Sequence, residues 1–308
     1  MKDARGRGCR SGLAGSATAA LLFAMLATPA AAQAPDTCKP TGQSVPLAGL
    51  PEASGAAASR RVPGRIWTHN DSGAPVVVAL DANGAVTGRL RLTNARLEDW
   101  EAIAVGPCPG GSCLYVADIG DNDAERKRVT VYRVPEPENA DGSIAVTDVF
   151  HAVYPDGRHD AETVLVTADG TLLIVTKGDT GPVALYRFPA ELKAGTTHSL
   201  ERVGKPSAIG KPAAADRITD GDVSADGEWT VLRTRHSLSF HSTADLLQGN
   251  WQAERTVDLA AVGEPQGEGV AFGADGTLYL LGEGGGKKRP GTFQRLTCPA
   301  PAAGASRR

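Results

Sequence analysis

The chain has 308 residues with 32 Lys and Arg against 35 Asp and Glu, a formal net charge of −3, so no basic excess points to a nucleic-acid partner. Hydrophobic residues make up 41% but aromatics only 5%, and there are 37 glycines. This composition excludes disorder, a coiled coil and a polytopic membrane protein, and it predicts a chain of many tight turns.

Lys2, Arg5, Arg7 and Arg10 precede an apolar, Ala-rich run from Leu13 to Thr28, which ends in Pro29-Ala30-Ala31-Ala32. A basic start, a short apolar run and small residues before the break are the pattern of a cleaved secretory signal. Residues 1–32 are therefore expected to be removed, leaving a secreted or periplasmic chain with no stable membrane insertion, since no later run is long and apolar enough to span. The removed segment carries four basic side chains and one acidic one, so the net charge moves from −3 to −6. Cys9 leaves with it. The four remaining cysteines, an even number in an oxidising compartment, are expected to form disulfides. Cys38 and Cys298 lie near the two mature ends, and Cys108 and Cys113 bracket a Pro-Gly-Gly-Ser loop tip, which pairs them in that way. A lone C-x4-C is poor zinc spacing.

The Asp-Gly turns expose an internal repeat. Ala161-Glu162-Thr163-Val164-Leu165-Val166 followed by Ala168-Asp169-Gly170-Thr171-Leu172 matches Gly267-Glu268-Gly269-Val270-Ala271-Phe272 followed by Ala274-Asp275-Gly276-Thr277-Leu278, and seven positions separate Glu from the turn Asp in both. Asp-Gly between β-rich runs favours an antiparallel hairpin. A third copy surrounds Asp226-Gly227, and a fourth, Glu101 to Val105, has the cysteine-bracketed loop in place of the turn. Third strands follow, as at Pro75 to Leu80, Val129 to Val134 and Val183 to Phe188. Four antiparallel strands per repeat and almost no helical periodicity predict an all-β β-propeller in a single domain, residues 33–298, followed by a disordered tail, 299–308. Five units begin near Leu50, Glu98, Arg158, Arg217 and Pro265, six being the alternative. The last unit lacks a fourth strand, and Gln43 to Leu47 could supply it, closing the ring and bringing Cys38 to Cys298.

In such a blade the start of the innermost strand and the end of the second share one edge. One face of the ring then gathers Glu52, Asp99 with Glu101, Asp160 with Glu162, and Glu268 from the inner-strand starts, residues two apart pointing the same way. In the fourth unit, counting back from Asp226 puts Thr219 where the others have Glu, with Asp220-Gly221-Asp222 beside it. Counting along the second strands puts Asn70, Asp118, Thr176 and Arg233 at one level. Several carboxylates aimed at one channel mouth repel each other unless a cation sits among them or some take up protons. Calcium, which accepts six to eight oxygen ligands, suits that setting. The alternative is a hydrated channel compensated by Arg233 and Arg235.

These inner strands (Glu101-Ala102-Ile103, Glu268-Gly269-Val270), together with Asn70-Asp71-Ser72-Gly73 and Asp118-Ile119-Gly120-Asp121-Asn122, resemble those of secreted bacterial propellers of the phytase-like (esterase-like) and SdiA-regulated groups, over roughly residues 45 to 298. The resemblance implies a calcium-dependent propeller whose mouth binds phosphorylated or other anionic ligands. Under it, calcium held by Glu101, Glu162, Glu268 and Asp118 would clamp a phosphate and acidify a bound water, and Lys177, Arg233 and Arg235 would neutralise the developing charge.

Other chemistries find no support in the sequence. There is no G-x-S-x-G and no H-E-x-x-H, and Ser72 beside Asp71 and His69 reads as a capped turn. Gly282 to Lys288 fails the phosphate-loop spacing. Two readings remain. One is an envelope propeller that binds a divalent cation and presents its mouth to a small anionic ligand or an envelope protein. The other is a metal-dependent phosphoric ester hydrolase. No nucleophile or general base can be singled out, which favours the first.

Overall fold

The structure, a computed structural model, describes residues 38–205, 211–273, 276–286 and 288–299. The expected signal peptide, all of the tail after residue 299 and the turn residues Ala274-Asp275 lie outside the described residues.

The chain opens with β1 (Lys39–Leu47) and then builds blade one from β2 (Ala53–Ala58), β3 (Ile66–Asn70), β4 (Val76–Leu80) and β5 (Val86–Thr93). Blade two contains β6 (Trp100–Cys108), β7 (Gly111–Asp118), β8 (Val129–Pro135) and β10 (Asp148–Val153), with the short β9 (Gly142–Ala145) inserted before the last. Blade three contains β11 (Ala161–Val166), β12 (Leu172–Thr176), β13 (Leu185–Arg187) and β15 (Glu201–Arg202), with β14 (Thr197–Ser199) inserted in the same way. Blade four is β16 (Ile218–Val223), β17 (Trp229–Thr234), β18 (Ser237–Ser242) and β19 (Arg255–Asp258). Blade five is β20 (Gln266–Phe272), β21 (Thr277–Glu283) and β22 (Gly291–Thr297).

The result is a five-bladed β-propeller, which settles the count of five over six. Antiparallel pairing of β1 with β22 supplies the fourth strand of blade five, so N- and C-terminal segments share one sheet and close the ring, with β1 as that blade's outer edge. The Cys38–Cys298 disulfide spans that closure, and Cys108–Cys113 ties the β6–β7 hairpin. Two strands were not foreseen. β9 pairs in parallel with β5, and β14 with β10, so each insertion reaches back to the outer edge of the preceding blade.

Small residues decide how tightly the ring closes. β2 reads Ala-Ser-Gly-Ala-Ala-Ala, and a Cβ on Gly55 would lie 2.7 Å from the backbone nitrogen of Ile103 in the next blade. On the other side, a Cβ on Gly269 would lie 2.5 Å from the carbonyl oxygen of Ser54. Inner strands thus meet backbone to backbone, a contact that only glycine permits. Between blades, the alternate faces of the strands bury layers of larger side chains, such as Trp67, Trp100, Leu90 and Leu114 between blades one and two. Among the described residues the single α-helix is one turn, Thr243–Leu246, capped by the Ser242 hydroxyl, which accepts from the Asp245 N–H.

Candidate functional site

Every inner strand breaks register with its neighbour near its start, and the displaced residue marks the same place in each blade. The breaks enclose Ser54-Gly55, Glu101, Glu162, Thr219 and Glu268-Gly269. A bulge re-aims a side chain out of the alternating pattern, and here five bulges deliver Ser54, Glu101, Glu162, Thr219 and Glu268 to one ring level. Two of them make the same contact with the next blade: Ser54 Oγ donates to the Glu101 carbonyl and Thr219 Oγ1 to the Glu268 carbonyl, both at 3.0 Å. Thr219 therefore holds the position that Glu fills in three other blades, as the spacing from Asp226 indicated. In the first blade the position belongs to Ser54 rather than Glu52. Glu52 precedes β2, its N–H donates to Asn70 Oδ1 at 3.3 Å, and its carboxylate accepts from Ser72 Oγ. Ser72 thus serves Glu52 and not His69, which lies in the core against Trp100 with its pKa lowered to about 4 by burial.

The flanking residues come from the ends of the second strands and the loops beyond them. Lys177, just after β12, places its ammonium 3.1 Å from Asp160 Oδ2 and against Glu162 Oε1, with Asn122 Oδ1 at 3.3 Å. Gly120 lets two carboxylates crowd together: a Cβ there would overlap Asp99 Oδ2 and lie 2.9 Å from Glu101 Oε1. Asp118 is turned toward Arg126, whose Nη1 is 2.8 Å from Asp118 Oδ1 and also donates to the Gly120 carbonyl. Its two oxygens accept the N–H groups of Glu98 and Asp99, so it orders the approach to Glu101. Gln266 Nε2 donates to Glu268 Oε1 at 2.7 Å.

Arg233 is not at the mouth. Its β17 position faces Asp220, and Thr234 is the residue level with Asp118 and Thr176. One step along a strand reverses the side chain's face, so Arg233 enters the packed space toward blade five. There it is fully buried, paired with Glu264 and donating to the carbonyls of Gly269 and Leu281. Arg235 is exposed and is close enough to Glu268 and Glu283 to favour their charged forms.

Negative charge outweighs positive charge at this mouth. Burial, then Glu162 and Asp99, push the Glu101 carboxyl well above the usual carboxylate range. Burial and then Glu268 do the same to Glu162, against the opposing pull of Lys177. Asp99, Asp118 and Glu268 are raised as well, each mainly by burial. Burial disfavours a charged Lys177, but Glu162 and Asp160 outweigh it and hold its pKa well above the ordinary lysine value. Glu283, at the end of the fifth blade's second strand, joins the raised carboxyls, pushed up to about 7 by burial and by Glu268, Asp71 and Glu52. Sequence reasoning missed Arg126, which returns to Asp118 from the β7–β8 loop; no local pattern announces such a return.

In donor chemistry these residues suit a hard cation, since they offer oxygen ligands and an excess of negative charge. In arrangement they do not form a ready shell. Among the described residues no three His, Cys, Asp or Glu side chains are grouped to hold a metal ion, and the Lys177 ammonium already lies against Asp160 and Glu162. The cluster as folded carries its own cation, the Lys177 ammonium.

No protein-family model matches the sequence, and no curated protein matches it. Among solved structures, the chain is similar to a PQQ-bound aldose sugar dehydrogenase from Streptomyces coelicolor, with 12% identity, 85% of this chain and 100% of that chain covered, and a TM-score of 0.47. It is also similar to a gluconolactonase from Xanthomonas campestris, with 14% identity, coverage of 80% and 72%, and a TM-score of 0.43. At these values neither protein brings an activity to this chain.

Proposed function

We propose that the chain is an extracytoplasmic binding propeller whose acidic mouth takes up a second cation beside Lys177, with calcium the ion its oxygens suit, and presents that face to a small ligand or an envelope protein. The observation that carries this reading is the charge imbalance: Asp99, Glu101, Asp160, Glu162 and Glu268 gather around one lysine, with their carboxyls mostly held above the usual range. A further cation would relieve that repulsion, the carboxylates regrouping to receive it. The two disulfides accord with an oxidising compartment.

The phosphoesterase reading has less support. Lys177, Arg126 and Arg233 are each tied to a carboxylate, which leaves Arg235 as the exposed cation of the expected phosphate clamp. The deciding experiment is the melting temperature of oxidised residues 33–308 in EDTA and then in millimolar Ca²⁺. An ion at 100 times its Kd should stabilise by about 2.7 kcal/mol, a shift of several degrees. An unchanged melting temperature with Ca²⁺, Mg²⁺ and Mn²⁺ would remove cation uptake from the proposal.

A further inference from the structure

The seam between blades three and four carries a polar face where two other seams are apolar. Residues directly opposite each other in antiparallel strands share a face, so Ser239, opposite Leu232, faces blade three, where Leu232 packs with Leu173 and Leu185. At the same level, β4 sets Val78 and β13 sets Tyr186 against the blade before them, each in an apolar layer. Two residues either way along β18, on the face of Ser239, stand Ser237 and His241. What closes the seam with hydrocarbon in blades one and three is a polar wall in blade four.

This wall borders a cavity of about 360 Å³, the size of a small-molecule site. Thr234 and Thr256 line it beside Ser237, Ser239 and His241. Thr256 lies directly across from Ser239, Thr234 and Ser237 share a hydrogen bond at 2.9 Å, and His241 Nε2 and Ser239 Oγ share another at 3.0 Å. A hydroxyl has one donor and two acceptor positions, so these bonds orient the groups and leave Ser237, Ser239 and Thr256 with acceptor positions to spare. Val183 of blade three, with Pro212 and Ile218 of the segment entering blade four, supplies hydrocarbon surface. Trp251 lines the cavity as well, and its Nε1 donates to the Lys205 carbonyl at 3.1 Å, which ties the indole of blade four to the chain just after blade three.

Charge has little part in this lining. Among the described residues no lysine or arginine lines the cavity, and the one carboxylate that does, Asp216, is exposed. Burial lowers the pKa of His241 against the pull of the Gln252 backbone, so the imidazole is neutral at pH 7. An ion of either sign would leave water for a wall that offers it no buried countercharge. A ligand with one polar group would leave most of the wall unpartnered. An uncharged ring with hydrocarbon faces and hydroxyls around its edge meets both conditions.

We propose that the cavity between blades three and four is a binding site for a neutral pyranose sugar, its hydroxyls on Ser237, Ser239, His241 and Thr256 and its hydrocarbon face against Trp251 and Val183. The site shares no residue with the acidic cluster and stands whether or not that cluster takes up a cation.

The test follows the backbone amide NMR signals of the oxidised mature chain during titration with the methyl pyranosides of glucose, galactose and mannose, beside cyclohexanol, a ring of the same size with one hydroxyl. At least one glycoside should saturate in the millimolar range and move the signals of Thr234, Ser239 and His241, with cyclohexanol at least tenfold weaker. Ser237→Val/Ser239→Val, which gives β18 the apolar face of β4, should keep or raise the melting temperature and weaken the glycoside at least tenfold. Failure of all three glycosides to move those signals at tens of millimolar would overturn the proposal, as would equal binding of cyclohexanol or binding that survives Ser237→Val/Ser239→Val. If that variant fails to fold, the comparison of glycoside with cyclohexanol and the position of the shifted signals still decide.

Discussion

Replacing Lys177 with Met keeps the length and apolar stem of the side chain and removes only its charge. The ammonium is 3.1 Å from Asp160 Oδ2 and touches Glu162 Oε1, with Lys177 16% exposed and Asp160 fully buried. Breaking a buried pair by deleting one partner costs about 3–5 kcal/mol, because the surviving charge stays buried without compensation. For a domain of this size each kcal/mol is about 2–4 °C, which gives a melting temperature lower by roughly 6–20 °C. The dependence on pH has a definite sign. The pKa of Lys177 is raised in the folded state, so its contribution is complete below the unfolded lysine value and fades only as pH rises through the higher folded one. Between pH 5 and 8 its charge is constant. Glu101 and Glu162 also titrate high in the folded state, so they cost stability as pH rises above their unfolded values, and that cost is relieved as they protonate on acidification. Without the lysine they should titrate higher still. Urea denaturation of wild type and Lys177→Met should therefore show the deficit largest at pH 8 and smaller at pH 5. A loss below about 1 kcal/mol at pH 8, the figure for an exposed pair, or a deficit that grows on acidification would refute the role given to Lys177.

The two disulfides should rank by the loops they close. Cys38 and Cys298 are 260 residues apart and Cys108 and Cys113 only five, so in the chain-entropy model Cys38→Ser/Cys298→Ser should lose about 5 kcal/mol and Cys108→Ser/Cys113→Ser about 2. Reversible denaturation of the two double variants checks the order, and equal losses would mean that the ring holds its closure without the first. At Gly120 an alanine methyl would overlap Asp99 and crowd Glu101. Gly120→Ala should cost about 1–3 kcal/mol and reduce any calcium-induced rise in melting temperature; unchanged stability would show that the two carboxylates are free to move apart.

The architecture was legible because it repeats. Spacing from each Glu to the Asp-Gly turn located the inner hairpins, and the shortage of a fourth strand after Leu296 pointed to Gln43 to Leu47, which β1 and β22 bear out. The cysteine pairs were read independently, from their positions at the mature ends and around one loop tip, and both form. Legibility ended at single-residue register. Glu52 was placed at the inner-strand start although Ser54 holds that position, and Arg233 was placed at the mouth because the turn of the fourth blade, from Val223 to Thr230, is one residue longer than that of the third, from Val166 to Leu172. In a strand with a period of two, an error of one residue exchanges the channel for the packed interior.

By itself, then, the sequence determined a ring of β-hairpins, the place where it closes and a mouth rich in carboxylates, since strand alternation and turn chemistry act between near neighbours in the chain. Only the tertiary structure decided which charges are compensated. Lys177 reaches two carboxylates of its own blade and Asn122 of the preceding one, Arg126 folds back on Asp118, and Arg233 leaves the mouth for Glu264. It also decided that Asp222 shares a cavity at the far mouth with Arg60 and Arg65, its walls drawn from four blades. A charge's surroundings are set by distances through space, and neighbouring blades bring together residues tens to hundreds of positions apart whose proximity no local spacing encodes.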